Sequence, residues 1–118
     1  MIYITGASKG IGREILKYYA NKNNAVVGTY NNSIPEASKK QHYTSVDVRN
    51  YEEVSSWISI NQDRTDDVLI NCAGINYSSF AHKSEIRSWE NVIAVNLFGS
   101  FNAIRSVLPI MRQKKFGR

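Results

Sequence analysis

Along this chain the spacing of apolar residues switches several times between strand alternation and the three-to-four spacing of a helix face. Ile2-Tyr3-Ile4 is a short β-branched and aromatic run that predicts a strand. After a glycine-rich stretch, apolar residues at 11, 15 and 18/19 mark one face of a helix. Ala25–Tyr30 is nearly continuous in apolar character, as a strand buried on both faces is. Asn31-Asn32-Ser33-Ile34-Pro35 is turn chemistry, and a short, weakly patterned helix is expected over Glu36–Lys40. His42–Val46 predicts a third strand, closing on Asp47-Val48. Asn50 and Glu53 form a capping pair ahead of a buried stripe of Val54, Trp57 and Ile58. Val68-Leu69-Ile70 predicts a fourth strand, running into Asn71-Cys72-Ala73-Gly74. Beyond a loop of small and polar residues from Ile75 to Lys83, Ser84 is placed to cap a long helix, with Glu85 in its first turn. Trp89, Val92, Ile93, Leu97, Phe101, Ile104, Leu108 and Met111 give that helix its apolar stripe.

Strands that alternate with helices imply a parallel sheet with right-handed crossovers. The expected fold is therefore α/β, a Rossmann-like doubly wound sheet of about four strands in the order 3-2-1-4. Helices cover both faces, and residues 1–118 form one domain. Composition agrees: 42% of the 118 residues are hydrophobic and 21% charged, an ordinary globular balance. No apolar run approaches the roughly 20 residues a membrane span needs. The single cysteine, Cys72, fits a reducing compartment, and the first strand starts too early for a signal peptide, so a cytoplasmic location is expected. The net charge of +5 raises nucleic acid as a partner, but its distribution argues against that. Four of the 15 cations, Arg112, Lys114, Lys115 and Arg118, fall in the last seven residues; the other 11 face 10 acids. That reads as a solvated helix end rather than a binding face.

The candidate chemistry begins at Thr5-Gly6-Ala7-Ser8-Lys9-Gly10-Ile11-Gly12, which sits between a strand and a helix. Such a turn aims free backbone N–H groups and the positive end of a helix dipole at an anion, and glycines let a phosphate come close. Thr29-Tyr30-Asn31-Asn32, at the end of the second strand, holds no carboxylate. In a dinucleotide fold an acid there binds the ribose hydroxyls and repels a 2′-phosphate. With Lys9 in the turn and Asn31 where the acid would be, NADP(H) is favoured over NAD(H). Asn96 falls between Ile93 and Leu97 on the apolar stripe, where an amide is costly unless hydrogen-bonded. Gly99 and Pro109 lower helix propensity by about 1 and 3 kcal/mol, so this helix is expected to be interrupted or shaped for a purpose.

The spacing T-G-x-x-x-G-x-G resembles the N-terminal motif of the short-chain dehydrogenase/reductase family. The resemblance implies a nucleotide site formed by Gly6, Ala7, Ser8, Lys9, Gly10, Ile11 and Gly12. A basic residue at the Lys9 position commonly marks NADP preference in that family. Asp47-Val48 matches the acidic pair whose carboxylate accepts from the adenine amino group; capping of nearby N–H groups is the alternative role. Asn71-Cys72-Ala73-Gly74 is similar to the family's NNAG motif, which gives Asn71, Ala73 and Gly74 to the cofactor site. Cys72 departs from the motif and is expected to act as a small hydrophobe. Asn91–Gly99 is similar to the active-site helix, whose Asn, here Asn96, holds a water in the proton relay. No metal ligand is implied.

In that family the catalytic Ser, Tyr and Lys follow this helix, the last two as YxxxK, and the resemblance implies that they would come after Arg118, so that it covers the family's first half. Tyr18 and Lys22 fit that spacing, but Tyr18 lies roughly 12 Å along the first helix from Gly10, away from the nicotinamide end. Two functions stay open. One is the cofactor-binding part of an NADP(H)-dependent oxidoreductase acting on a carbonyl or alcohol, completed by a C-terminal half or a homo-oligomer. The other is a non-catalytic nucleotide-binding or self-associating protein.

Overall fold

The computed structural model describes residues 1–35, 42–63 and 66–118. The helix expected over Glu36–Lys40 lies outside them. Four parallel strands, β1 (Ile2–Thr5), β2 (Val26–Tyr30), β3 (His42–Ser45) and β4 (Val68–Asn71), form one sheet in the order β3-β2-β1-β4. Register pairs Tyr3 with Val27 and Leu69, and Ile4 with Gly28 and Ile70. The expected α/β class, strand number and order are those of the structure.

Alternation along the strands gives the sheet two buried faces. Ile4, Val26 and Ala7 meet Leu16 and Ala20 of α1 (Gly10–Asn21) on one side. On the other, Tyr3, Val27, Val46 and Val48 meet Val54, Trp57 and Ile58 of α2 (Tyr51–Ile60), with Ala103 and Val107 of α4 (Gly99–Lys114). Tyr3 and Trp57 pack edge to face at 5.6 Å. Burial, together with the carboxylates of Asp67 and Asp63, raises the pKa of the Tyr3 phenol.

Two expected stripes are corrected. Gly12, Leu16 and Ala20 are the buried face of α1, while Ile11 is 76% exposed and Tyr18 54%. In α4 the buried residues are Gly99, Ala103 and Val107. In both helices the inner face carries small residues around one larger one, Gly12 and Ala20 with Leu16, Gly99 and Ala103 with Val107, so the backbone approaches its neighbours closely and the stripe is rotated from the one expected. Between Glu85 and α4 the chain forms α3 (Ile86–Ile93) and a π-helical turn at Ala94–Phe98. Trp89, Ile93, Leu97, Phe101, Ile104 and Leu108 all lie exposed along this run.

The run Ile86–Lys114 spans 29 residues with mean hydropathy 1.3 in its most apolar window, so by length and composition it could cross a membrane. No stretch within it is an uninterrupted apolar run of that length; its mean is high because it is apolar on an inner and an outer face. Ser84 does not cap it. Its hydroxyl donates to Phe80 O at 3.0 Å, and Glu85, without a side-chain cap bond, takes the N-cap position. Asn50 does cap α2, accepting from Glu52 and Glu53 N–H.

The basic tail is not simply a solvated end. Lys114 Nζ lies 2.8 Å from the fully buried Asp67 carboxylate, which also faces the N-terminal ammonium at 3.6 Å. Arg118 N–H donates to Asp67 O at 3.2 Å and Arg118 O accepts from Leu69 N–H at 2.8 Å, the pairing of a parallel strand beside β4.

Candidate functional site

Thr5 ends β1 and anchors the turn after it. Its buried hydroxyl accepts from Cys72 N–H at 3.2 Å and Ala73 N–H at 3.1 Å, and donates to Asn71 Oδ1 at 3.4 Å. One donor and two lone pairs are thus all used, which fastens the glycine turn to the segment leaving β4. Gly6 comes next with φ +65°, and a Cβ there would stand 2.6 Å from Ala73 Cα. Thr29 holds the turn from the other side: Gly6 N–H donates to its Oγ1 at 3.1 Å and Ala7 N–H to its carbonyl at 2.7 Å.

The turn enters α1 through Gly10, at φ +56°, and a Cβ on Gly12 would lie 2.5 Å from Gly6 O. Lys9 is the N-cap; its side chain makes no capping bond, and no acid stands in the first turn. Arg13 N–H closes that turn on Lys9 O at 3.4 Å. The N–H groups of Gly10, Ile11 and Gly12 therefore stand at the helix mouth, where the positive dipole end has no acidic side chain to offset it.

Around this mouth, at the carboxyl ends of the strands, is a crevice of about 470 Å³. That is within the range of small-molecule and cofactor sites. The glycine turn forms its floor; Thr29–Ser33 and Val46–Val48 form one wall, and Cys72–Ile75 with Val95 the other. The structure thus gathers Gly6, Ser8, Lys9, Gly10, Ile11, Gly12, Asn31, Asp47, Val48, Ala73 and Gly74 around one space. Three expected residues are not in its lining. Ala7 is buried beneath the turn, Asn71 faces a groove between β4 and α4, and Asn96 stands behind Ile75.

Asp47 is the wall's acidic group. Arg49 holds it through its backbone N–H at 3.0 Å and Nε at 2.9 Å, with Nη2 on the second oxygen. These bonds keep the Asp47 carboxyl below its usual range, against a smaller opposing effect of burial. Cys72 is half-buried in the opposite wall, and burial pushes its thiol up.

Asn96 occupies the π-helical turn. Its Oδ1 accepts from Ile75 N–H and its Nδ2 donates to Ile75 O, both at 2.9 Å, so its amide holds the loop after β4 by a pair of bonds. Its own carbonyl accepts from Ser100 Oγ at 2.9 Å. Gly99 ends the turn, and a Cβ there would lie 2.6 Å from Val48 Cγ2. The helix thus changes to π-helical form where it passes the crevice, next to Gly99, while Pro109 lies inside α4 without ending it.

Thr5, Thr29, Cys72, Ile75 and Val95 also position or line the site, and sequence reading assigned them no part in it. Thr5 carried a signal, as the first letter of the glycine motif. The others depend on which strand ends lie side by side, and no spacing reports that.

The chain matches the family model described as short chain dehydrogenase over residues 1–118. It is 32% identical to an uncharacterized oxidoreductase of Staphylococcus saprophyticus, over 97% of this chain and 54% of that protein. It is likewise 32% identical to a 3-oxoacyl-[acyl-carrier-protein] reductase of Staphylococcus epidermidis, over 97% of this chain and 52% of the relative. It therefore spans about half the length of these relatives. Among solved structures, a serine dehydrogenase complexed with NADP+ superposes with TM-score 0.86 at 26% identity, covering 99% of this chain and 51% of that one. A Leptospira borgpetersenii short chain dehydrogenase with bound NAD+ superposes with TM-score 0.84 at 26% identity, covering 96% and 46%.

Proposed function

This chain belongs to the short chain dehydrogenase family, and from that premise we propose that its crevice holds NADP(H) in a protein that moves hydride between the cofactor and a carbonyl or alcohol. The mouth of α1 carries the reading: three backbone N–H groups, no capping side chain and no first-turn acid. Gly6 and Gly12 stand where a Cβ would meet backbone, which lets the turn fold tightly, while a Cβ on Gly10 would meet nothing within 4 Å, which supports open space for a pyrophosphate at the helix mouth. Lys9, and the absence of a carboxylate from Thr29–Ser33, favour a 2′-phosphate over a free ribose hydroxyl pair. Asp47 would accept from the adenine amino group beside Val48. The backbone of Ala73 and Gly74 would pass the nicotinamide half, with Asn71 supporting it from the rear.

When bound, NADPH supplies a hydride, and the alkoxide that results needs a proton. Asn96 is assigned to the proton relay. With its amide on Ile75, it would fix that loop and present its main-chain carbonyl at the π-helical turn to a water. The Tyr-x-x-x-Lys spacing at Tyr18 and Lys22 lies on α1 outside the crevice, with Lys22 Nζ 4.5 Å above the Tyr18 ring. That observation favours a second reading for the chain by itself, nucleotide binding without turnover. The exposed outer face of α3 and α4 would then be covered by a second copy or by further polypeptide that completes the fold.

Fluorescence titration with NADPH and NADH tests the site. NADPH is expected to bind at least about tenfold more tightly, the difference an added phosphate–cation contact makes. Equal affinities remove the preference, and no binding of either removes the site. Oxidation of NADPH by this chain with a panel of ketones separates the two readings, since turnover above background excludes the second.

A further inference from the structure

The loop Asp47–Asn50 is held by side chains from two helices. Glu53 Oε2 accepts from Asp47 N–H at 2.8 Å, and Asn102 Nδ2 donates to Val48 O at 3.0 Å and Arg49 O at 3.1 Å. The Arg49 side chain runs the other way. Its Nε lies 2.9 and 3.0 Å from the two Asp47 oxygens, its Nη2 joins it on Oδ2, and its Nη1 donates to Asn91 Oδ1 of α3 at 2.7 Å. An exposed ion pair by itself contributes little. Here the rigid guanidinium plane is pinned at its far edge as well, so the carboxylate it faces has one orientation. Three N–H donors of Arg49 engage a carboxylate with about four lone-pair sites, and the crevice is the side from which a further donor can come.

We propose that Arg49 is a positioning residue for base recognition: bridged to Asn91, it fixes the Asp47 carboxylate so that it selects a base carrying an exocyclic amine over one carrying an oxo group. The inference rests on the reading of Asp47 as the adenine acceptor. A carboxylate that cannot turn gains a bond from the amine of adenine and repels the oxygen of hypoxanthine. Without Arg49, the carboxylate can rotate away from the base edge, and the bond to the amine and the repulsion of the oxo group are both lost.

The probes are NADPH and its hypoxanthine analogue, titrated by fluorescence at neutral pH against the full chain, Arg49→Gln, Asn91→Ala, Asp47→Asn and the Arg49→Gln/Asp47→Asn double variant. The unaltered chain is expected to prefer NADPH about tenfold, the discrimination one charge-assisted hydrogen bond gives. Arg49→Gln should bring the ratio within about twofold, and Asn91→Ala, which leaves the ion pair intact, should lower it about threefold. On the Asp47→Asn background, loss of Arg49 should change the ratio no further. A role confined to tethering the loop would weaken both dinucleotides equally and keep the ratio; that result, in either folded variant, overturns the proposal. No discrimination by the unaltered chain overturns the adenine reading of Asp47 itself, and the two failures are distinct.

Discussion

At Gly6 one added methyl group meets the backbone of a different segment. The conformation at φ +65° and the 2.6 Å distance that would separate an alanine Cβ from Ala73 Cα act together. Gly6→Ala is expected to destabilise the chain by about 2–4 kcal/mol, read from denaturant midpoints, and to abolish NADPH binding. Unchanged stability would show that the turn can shift. Asp47 gives a second test at this scale. Its carboxyl lies below the usual range in the folded chain, chiefly through its bonds to Arg49, and at its ordinary value when unfolded. Its contribution is therefore complete above the ordinary carboxylate value and fades as pH falls through the lower, folded one. In acid titrations of unfolding free energy, Arg49→Gln should remove that part of the slope; an identical pH profile would refute the assignment. The glycine spacing and the acid were both legible in the sequence. Thr29 was not, and Thr5 showed only as the first letter of the glycine motif, because each acts through a hydroxyl whose partners lie on other segments.

In the helices, periodicity announced that a face exists without saying which side meets the sheet. Leu97, Phe101, Ile104 and Leu108 look like a core stripe, yet Gly99, Ala103 and Val107 make the inner contact. Close approach selects small residues, and a hydrophobicity pattern gives these little weight. The capping of α2 was legible because it is local, whereas the cap expected of Ser84 gave way to a bond with Phe80. Asn96 was conspicuous as an amide among apolar neighbours, but its partner, Ile75, could be known only from the fold. Asn96→Ala should leave unfolding free energy within about 1 kcal/mol of the unaltered chain, since the lost bonds are exposed. Hydrogen exchange at the Ile75 amide should speed up by about tenfold. If that amide stays protected, something other than Asn96 holds the loop.

For the whole molecule, the radius of gyration of 15.0 Å exceeds the roughly 13.5 Å of a compact domain this long. The molecule is elongated, 50 Å along its longest axis, and it carries a 29-residue helical run whose outer face is apolar. An exposed strip of this kind marks an interaction surface. The chain is expected to self-associate at micromolar concentration in sedimentation velocity runs, and the double change Leu97→Asp/Phe101→Asp should shift it toward monomer without altering its far-ultraviolet circular dichroism. A chain that is monomeric before the change would show that the strip tolerates water. Sequence patterning revealed the strip's residues, while its exposure follows from topology: α4 meets the sheet and α2 along its other side.

The three asparagines of this run give the helix one further consequence. Asn91 and Asn102 reach the wall that holds Asp47, Val48 and Arg49, and Asn96 grips Ile75 in the wall opposite. The rod is a crossbar between two jambs. The jambs cannot part unless the bar bends or an amide lets go, so the width of the doorway is set by a helix rather than by the loops that frame it.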